Sequence, residues 1–290
     1  MLKFTGFELR SFATIGFVGQ KTNRYGLSRN IPNDVKREVR KRSGFGCVVC
    51  GDAFYTYEHI DPPFSDAKQH DPNCMALLCW GCQGNSAAGR LSKETIKKAL
   101  TNPRPFQTGF SFGALDIGET HPKVVLGTLR ARETINIIRV FGEPILCIDA
   151  PEKGGTPFRL SAVLSDYDGN DILIIDENEW RNPTTNWDVE VVGQRIKIRR
   201  AARDILLVLR TDPPHKIVIE HLRLFYEGVK LSCKEGQPLR AELPDGMVFE
   251  TEEAVLVNCK TAIDVLEDGL YIGTDCQSFY GNIMIDNSER

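Results

Sequence analysis

Cys47-Val48-Val49-Cys50 and Cys79-Trp80-Gly81-Cys82 are two Cys-x-x-Cys hooks, and the 28 residues between them carry Tyr57-Glu58-His59-Ile60-Asp61-Pro62 and Asp71-Pro72-Asn73. Such hooks suit two knuckles closing on one tetrahedral zinc ion, because each supplies two thiolates from one tight turn. Four thiolates leave no open coordination position, so the expected zinc holds the fold and does no chemistry. The spacing is longer than that of a compact ribbon, so the insert must form structure of its own. It carries a histidine beside a carboxylate, which makes the stretch more than a knuckle. Redox chemistry at the hooks is the lesser reading, since two of them framing one insert fit zinc better.

The order Cys-x-x-Cys, Glu58-His59-Ile60, Asp71-x-Asn73, Leu77-Leu78-Cys79-x-x-Cys82 resembles the zinc-stapled HNH endonucleases, a bacterial group with the ββα-metal fold. The flanks Arg29-Asn30-Ile31-Pro32 and Cys47-Val48-Val49-Cys50-Gly51 add to the likeness, which spans residues 29 to 100. It implies that His59 is the general base activating water and that Glu58 binds a catalytic Mg²⁺ or Mn²⁺. It also implies that Asn73 pins the loop that orients His59. At the third motif position the family carries a His or Asn directly after the last knuckle residue. Here that position is Gln83, with Asn85 a substitute if the helix start is shifted. Two readings stay open: a metal-dependent DNA endonuclease, or a degenerate HNH fold that is held by zinc and binds nucleic acid or protein.

The residues support this chemistry without the resemblance. Phosphodiester hydrolysis needs a base near neutral pKa and a cation that offsets charge building on the phosphate oxygens. An imidazole, titrating at about 6.5 when unperturbed, is such a base. Glu58 and His59 would point to opposite faces of a regular strand, so they share a site only if the chain bends there. Asp61-Pro62-Pro63 is suitable bending chemistry.

The net charge of −3 hides an asymmetry. Residues 1–110 carry 16 Lys and Arg against 9 Asp and Glu, a net of +7, while the remaining 180 residues carry 20 against 30, a net of −10. The basic half contains the motif, as expected of a surface that meets phosphates. A chain of 290 residues suggests about two domains. Nine cysteines, an odd number, without a signal-like start argue against a disulfide framework and for a reducing compartment. No apolar run reaches the ~18 residues that a membrane helix needs. The expectation is a cytoplasmic protein with DNA as partner and no membrane.

Along the chain, residues 1–28 read as an N-terminal arm or short strands around Phe4, Phe7, Phe12 and Phe17, with no function of their own. Residues 32–43 read as a helix, with Pro32 in the first turn, Val35 and Val39 four apart and Gly44 after the end. Arg29, Lys36, Arg37, Arg40, Lys41 and Arg42 make this region either a solvated face or a phosphate contact. Cys47 to Tyr57 should be a knuckle and first strand, and Met75 to Leu78 the second strand. A helix should start around Cys82 and a firmer one at Ser92, its N-cap, ending at Leu100. His70, alone in the loop, reads as a bystander. Asn102-Pro103-Arg104-Pro105 should stop that helix, leaving a linker or a first sheet edge and a domain boundary between 109 and 110.

Beyond residue 120, β-branched runs punctuated by turn signals every 8 to 12 residues or so predict an all-β domain over 110–290, a sandwich or a β-solenoid. Arg195-Ile196-Lys197-Ile198-Arg199 alternates as a half-exposed strand does. Trp180 and Trp187 read as core anchors at strand ends, with a ligand or partner site the alternative. Asp166, Asp168 and Asn170 read as a hairpin turn, because Asp171 stands where a calcium loop needs glycine. The whole is an α+β chain: a small HNH-like zinc domain over 29–109, then a larger all-β domain available for recognising a target or a protein partner.

Overall fold

The computed structural model describes residues 22–285, so the aromatic segment around Phe4 to Phe17 lies outside the described residues. The chain is mixed α+β and mostly sheet. Its first part runs α1 (Asn33–Arg42), β1 (Thr56–His59), β2 (Met75–Leu78), α2 (Trp80–Ala87), α3 (Lys93–Thr101) and α4 (Arg104–Thr108). β1 and β2 pair antiparallel with His59 opposite Met75 and Thr56 opposite Leu78. α2 begins at Trp80 and not at Cys82, because the Cys79 sulfur already caps it by accepting from the Cys82 amide. Ser92 caps α3 as expected, accepting from the Thr95 amide.

α4 is a correction. The Pro103-Arg104-Pro105 run starts a short helix as well as ending α3, since proline is tolerated in a first turn whose amides have no helical partner. Gly109, at φ 86°, then closes it in the left-handed conformation.

From β3 (Phe110–Ala114) onward the chain is strands: β4 (Lys123–Leu126), β5 (Leu129–Arg132), β6 (Asn136–Val140), β7 (Glu143–Asp149), β8 (Arg159–Ser165), β9 (Asp171–Asp176) and β10 (Glu179–Pro183). Next come β11 (Asp188–Val192), β12 (Arg195–Ala201), β13 (Asp204–Asp212), β14 (Lys216–Tyr226), β15 (Val229–Lys234) and β16 (Arg240–Glu242). The last four are β17 (Val248–Val257), β18 (Thr261–Leu266), β19 (Gly269–Thr274) and β20 (Ser278–Ile285). One sheet has the order β19-β18-β6-β7-β8-β9-β10-β3, so β3 is its edge and the segment after α4 is no linker. The second begins β11-β12-β13-β14 and runs on to β17, on which β20 pairs antiparallel.

The middle of the second sheet is built in two tiers. β14 pairs with β4 over Lys216–Ile219 and with β15 over His221–Tyr226, while β17 pairs with β16 over Val248–Glu250 and with β5 over Ala254–Val257. Two hairpins, β4–β5 and β15–β16, therefore fill the gap between β14 and β17 end to end. Their turns meet where the Gly236 amide donates to the Gly127 carbonyl at 3.1 Å. Gly127 has φ +61°, and a Cβ there would come within 2.5 Å of the Gln237 carbonyl oxygen, so glycine is needed for the approach.

Both sheets feed one buried core that includes Ile148, Leu173 and Trp180 of the first and Ile198, Leu207 and Leu224 of the second. Most neighbours are consecutive antiparallel strands, which fits a two-sheet meander and not the parallel coils of a solenoid. β12 buries Ile196 and Ile198 and turns Arg195, Lys197 and Arg199 outward, as its alternation predicts. The Asp166–Asn170 turn is a hairpin turn: Asp166 accepts from the Asp168 and Asn170 amides.

Cysteine pairing departs from expectation. Cys259 and Cys276 form a disulfide, because the turn after β17 and the turn after β19 lie side by side, with the Gln277 amide donating to the Asn258 carbonyl. Among the described residues no helix is long and apolar enough to cross a membrane.

The first part has small apolar clusters of its own and also reaches into the core of the sheets. Phe45 and Ala53 belong to the main core, the Ala53 amide donates to the Phe112 carbonyl of β3, and Phe54 meets Trp180 edge to face. Trp180 is a core anchor, fully buried. Trp187 is not one: its indole carries the Arg37 guanidinium, 3.6 Å from the ring centroid.

Candidate functional site

The four hook sulfurs lie within 4.8 Å of one another, with Cys50 and Cys79 3.6 Å apart. A tetrahedral ion with metal–sulfur bonds of about 2.3 Å would set these edges at roughly 3.8 Å. The cluster could hold a metal ion and fits a structural zinc. Thiols packed this closely share protons unevenly: hydrogen bonding from Cys50 lowers Cys47 to about 5, and burial pushes Cys82 up to about 12. A small apolar cluster of Val48, Ile60, Ala76, Leu78 and Ile96 surrounds the hooks.

One strand away, Glu58, His59 and Gln83 line a cleft of about 290 Å³ together with Ile60, Leu78, Ser86, Ala87, Lys93 and Ile96. β1 delivers Glu58 and His59, and the first turns of α2 bring Gln83 opposite. Gln83 Nε2 donates to Glu58 Oε1 at 2.5 Å, and Thr56 Oγ1 donates to the same oxygen at 3.1 Å. Burial raises the Glu58 carboxyl above its ordinary value, against the opposing pull of Thr56, Arg29 and Gln83. Asn85 is exposed and not among the residues lining this cleft, so Gln83 is the residue that faces Glu58.

His59 is held by a residue read from sequence as a bystander. Its Nε2 lies 3.0 Å from His70 Nδ1, and His70 Nε2 lies 2.8 Å from the Ser28 carbonyl oxygen. Phe64 packs edge to face on His59 and stacks on His70. His59 Nδ1 is buried and has no hydrogen-bond partner among the described residues. Burial first, and His70 second, pull the His59 imidazole below its ordinary value. Nothing in the spacing reveals this pair, because the loop fold brings together residues eleven apart.

The loop from Ile60 to Cys74 is pinned, but among the described residues Asn73 does not make the contacts that tie it to the rest of the chain. Asn73 is exposed, and its side chain bonds to Asp71, two residues away. Asn23 does the work instead: its Nδ2 donates to the Phe64 and Ala67 carbonyls, each at 2.6 Å. Arg24 pairs with Asp66 alongside. Residues 22–28, expected to have no role of their own, thus strap the loop that carries His70.

The basic helix divides. Arg40 is a correction: only 4 % exposed, it is no phosphate contact but a buried link to the β sheet. Its Nε and Nη2 grip both oxygens of Asp188 on β11, and Nη1 donates to the Tyr57 hydroxyl. Arg37 lies on Trp187, and Lys36 reaches over the Tyr57 ring. Arg29 is exposed with its guanidinium over Phe64, and Lys41 and Arg42 are exposed, so these three remain on the surface expected to meet phosphate.

No protein-family profile, curated protein or solved structure matches this chain.

Proposed function

We propose that residues 29–109 form a ββα-metal module of the HNH type that hydrolyses phosphodiester bonds, with DNA as substrate, and that the β sheets recognise a target or a protein partner. The observation that carries this reading is the convergence of Glu58, His59 and Gln83 on one cleft beside the four-cysteine cluster. The hairpin-then-helix order of β1, β2 and α2 supports it, as does the net of +7 over residues 1–110. Glu58, with Gln83 turning its amide oxygen inward, would hold Mg²⁺ or Mn²⁺. Such an ion, when bound, offsets charge on the phosphate oxygens. His59 takes the proton from the attacking water, and the exposed Arg29, Lys41 and Arg42 hold the backbone of the nucleic acid.

The test is nicking of supercoiled plasmid with added Mg²⁺ or Mn²⁺, beside His59→Ala purified with its zinc. Wild type should nick, and the variant should lose about 100-fold or more, the usual contribution of a general base. Wild-type protein that holds zinc, retains DNA in a gel shift and cuts nothing would overturn the enzyme reading. The second reading, a zinc-held binding module, is favoured by one observation: the Gln83 amide nitrogen donates into the carboxylate that a cation would need. Gln83→His replaces that amide by an imidazole ligand and should raise cleavage about 10-fold, the scale on which ligand-shell changes act. Unchanged or lower activity would show that Gln83 does not limit the site.

A further inference from the structure

We infer that His70 is a positioning residue, which fixes the ring orientation and proton tautomer of His59 by donating to the Ser28 carbonyl through one ring nitrogen and accepting from His59 through the other. This rests on the nuclease reading for its purpose but on the hydrogen-bond chain for its content. A backbone carbonyl can only accept, so His70 Nε2, 2.8 Å from Ser28 O, carries the proton. In neutral His70 the other nitrogen, Nδ1, is then a lone-pair acceptor. His59 Nε2, 3.0 Å away, must donate to it. That leaves the lone pair of His59 on Nδ1, the ring nitrogen without a partner among the described residues. An unpaired buried acceptor costs stability, and one supplied with a fixed tautomer is a proton acceptor held in reserve.

The surroundings are built to keep this arrangement. Phe64 stacks on His70 and meets His59 edge to face, which restricts both rings. Asn23 ties down the loop at the Phe64 and Ala67 carbonyls, and Ser28 belongs to the same strap, bridged to Thr22. The donor of tautomer information and the loop that receives it are thus held by one short segment, residues 22–28. Orientation of a working imidazole through its second nitrogen is a general device, and loss of such a partner costs on the order of 10- to 100-fold in activity.

The experiment uses full-length, zinc-loaded protein in three forms: wild type, His70→Asn and His70→Phe. Asparagine can place an amide oxygen near the position of Nδ1 and so keeps an acceptor, whereas phenylalanine keeps the stack and removes it. Histidine-labelled protein, above the pH at which imidazoles protonate, is read by long-range ¹⁵N–¹H correlation, with His59→Ala locating the signal. His59 should be the Nε2–H tautomer in wild type and in His70→Asn, and a mixture in His70→Phe. In the plasmid assay His70→Phe should lose about 10- to 100-fold, and His70→Asn should stay within about 3-fold of wild type. An Nδ1–H tautomer in wild type overturns the inference, as does a tautomer unchanged in zinc-replete His70→Phe. A wild type that shows Nε2–H but cuts nothing upholds the positioning of His59 and removes the nuclease reading, so the two failures are distinct.

Discussion

Arg40→Ala should destabilise the protein by about 3–5 kcal/mol, the cost of breaking a buried ion pair from one side. The size follows from what is left behind. Asp188 is 1 % exposed, and its Oδ1 would lose Arg40 Nε at 2.8 Å while Oδ2 loses Nη2 at 2.9 Å. Arg199 stays on Oδ2 at 2.7 Å, which keeps the carboxylate from being wholly stranded. The Tyr57 hydroxyl, on the strand that presents Glu58 and His59, loses its donor as well. Because α1 and β11 lie 148 residues apart in sequence, this pair locks the cysteine-hook region onto the sheet. Urea unfolding followed by tryptophan fluorescence measures the loss, and Asp188→Asn in the Arg40→Ala background should recover part of it by removing the stranded charge. Lys41→Ala, one residue along on the exposed side, should change stability by no more than about 0.5 kcal/mol. Equal, small effects at 40 and 41 would mean that α1 is not docked as described.

Arg40 also shows where sequence reading stops. Val35 and Val39 mark the apolar side of α1, so the helix and its inner face are legible from local spacing. Which cation turns inward is not, since the carboxylate that makes burial tolerable lies in β11, far along the chain. His70 is the same case: a lone loop histidine has no periodicity, and its partner is chosen by the path of residues 60–74. The hooks are legible because their geometry is local, two residues between ligands and a tight turn. So are single strands such as β12, whose alternation reports one buried face. Pairing between strands is set elsewhere, as when β4–β5 fits below β15–β16 between β14 and β17. The Asn23 clamp was hidden for another reason, since one asparagine amide reaching two carbonyls leaves no pattern in sequence.

If the four cysteines hold zinc, its removal should have the largest effect on the first part of the chain. Structural zinc contributes about 10–16 kcal/mol of apparent binding free energy in small modules, and that energy is available only to the folded site. Here the local apolar cluster around the hooks is small, Val48, Ile60, Ala76, Leu78 and Ile96 with the cysteines themselves, so it cannot replace that contribution. Without an ion, four half-buried or buried thiols with atoms 3.6 to 4.8 Å apart have no partner of opposite charge to hold them together. The sheets draw on a separate and far larger core, joined to the hooks through Phe45 and Ala53. Chelation, or Cys79→Ser, should therefore release zinc at one ion per chain and expose the amides of residues 47–100 to hydrogen exchange, while β6–β10 and β12–β14 stay protected. Cys79 is the informative choice, because serine removes the sulfur that faces Cys50 and leaves an oxygen that can still accept from the Cys82 amide, so a loss of protection reports the metal and not the cap of α2. Protection over 47–100 that survives metal removal would mean that the cysteines are held by packing alone and that the cluster is not a metal site. Loss of protection across the whole chain would instead mean that the Arg40–Asp188 lock makes the two parts one cooperative unit, and the Arg40→Ala chain should then confine the loss to residues 47–100.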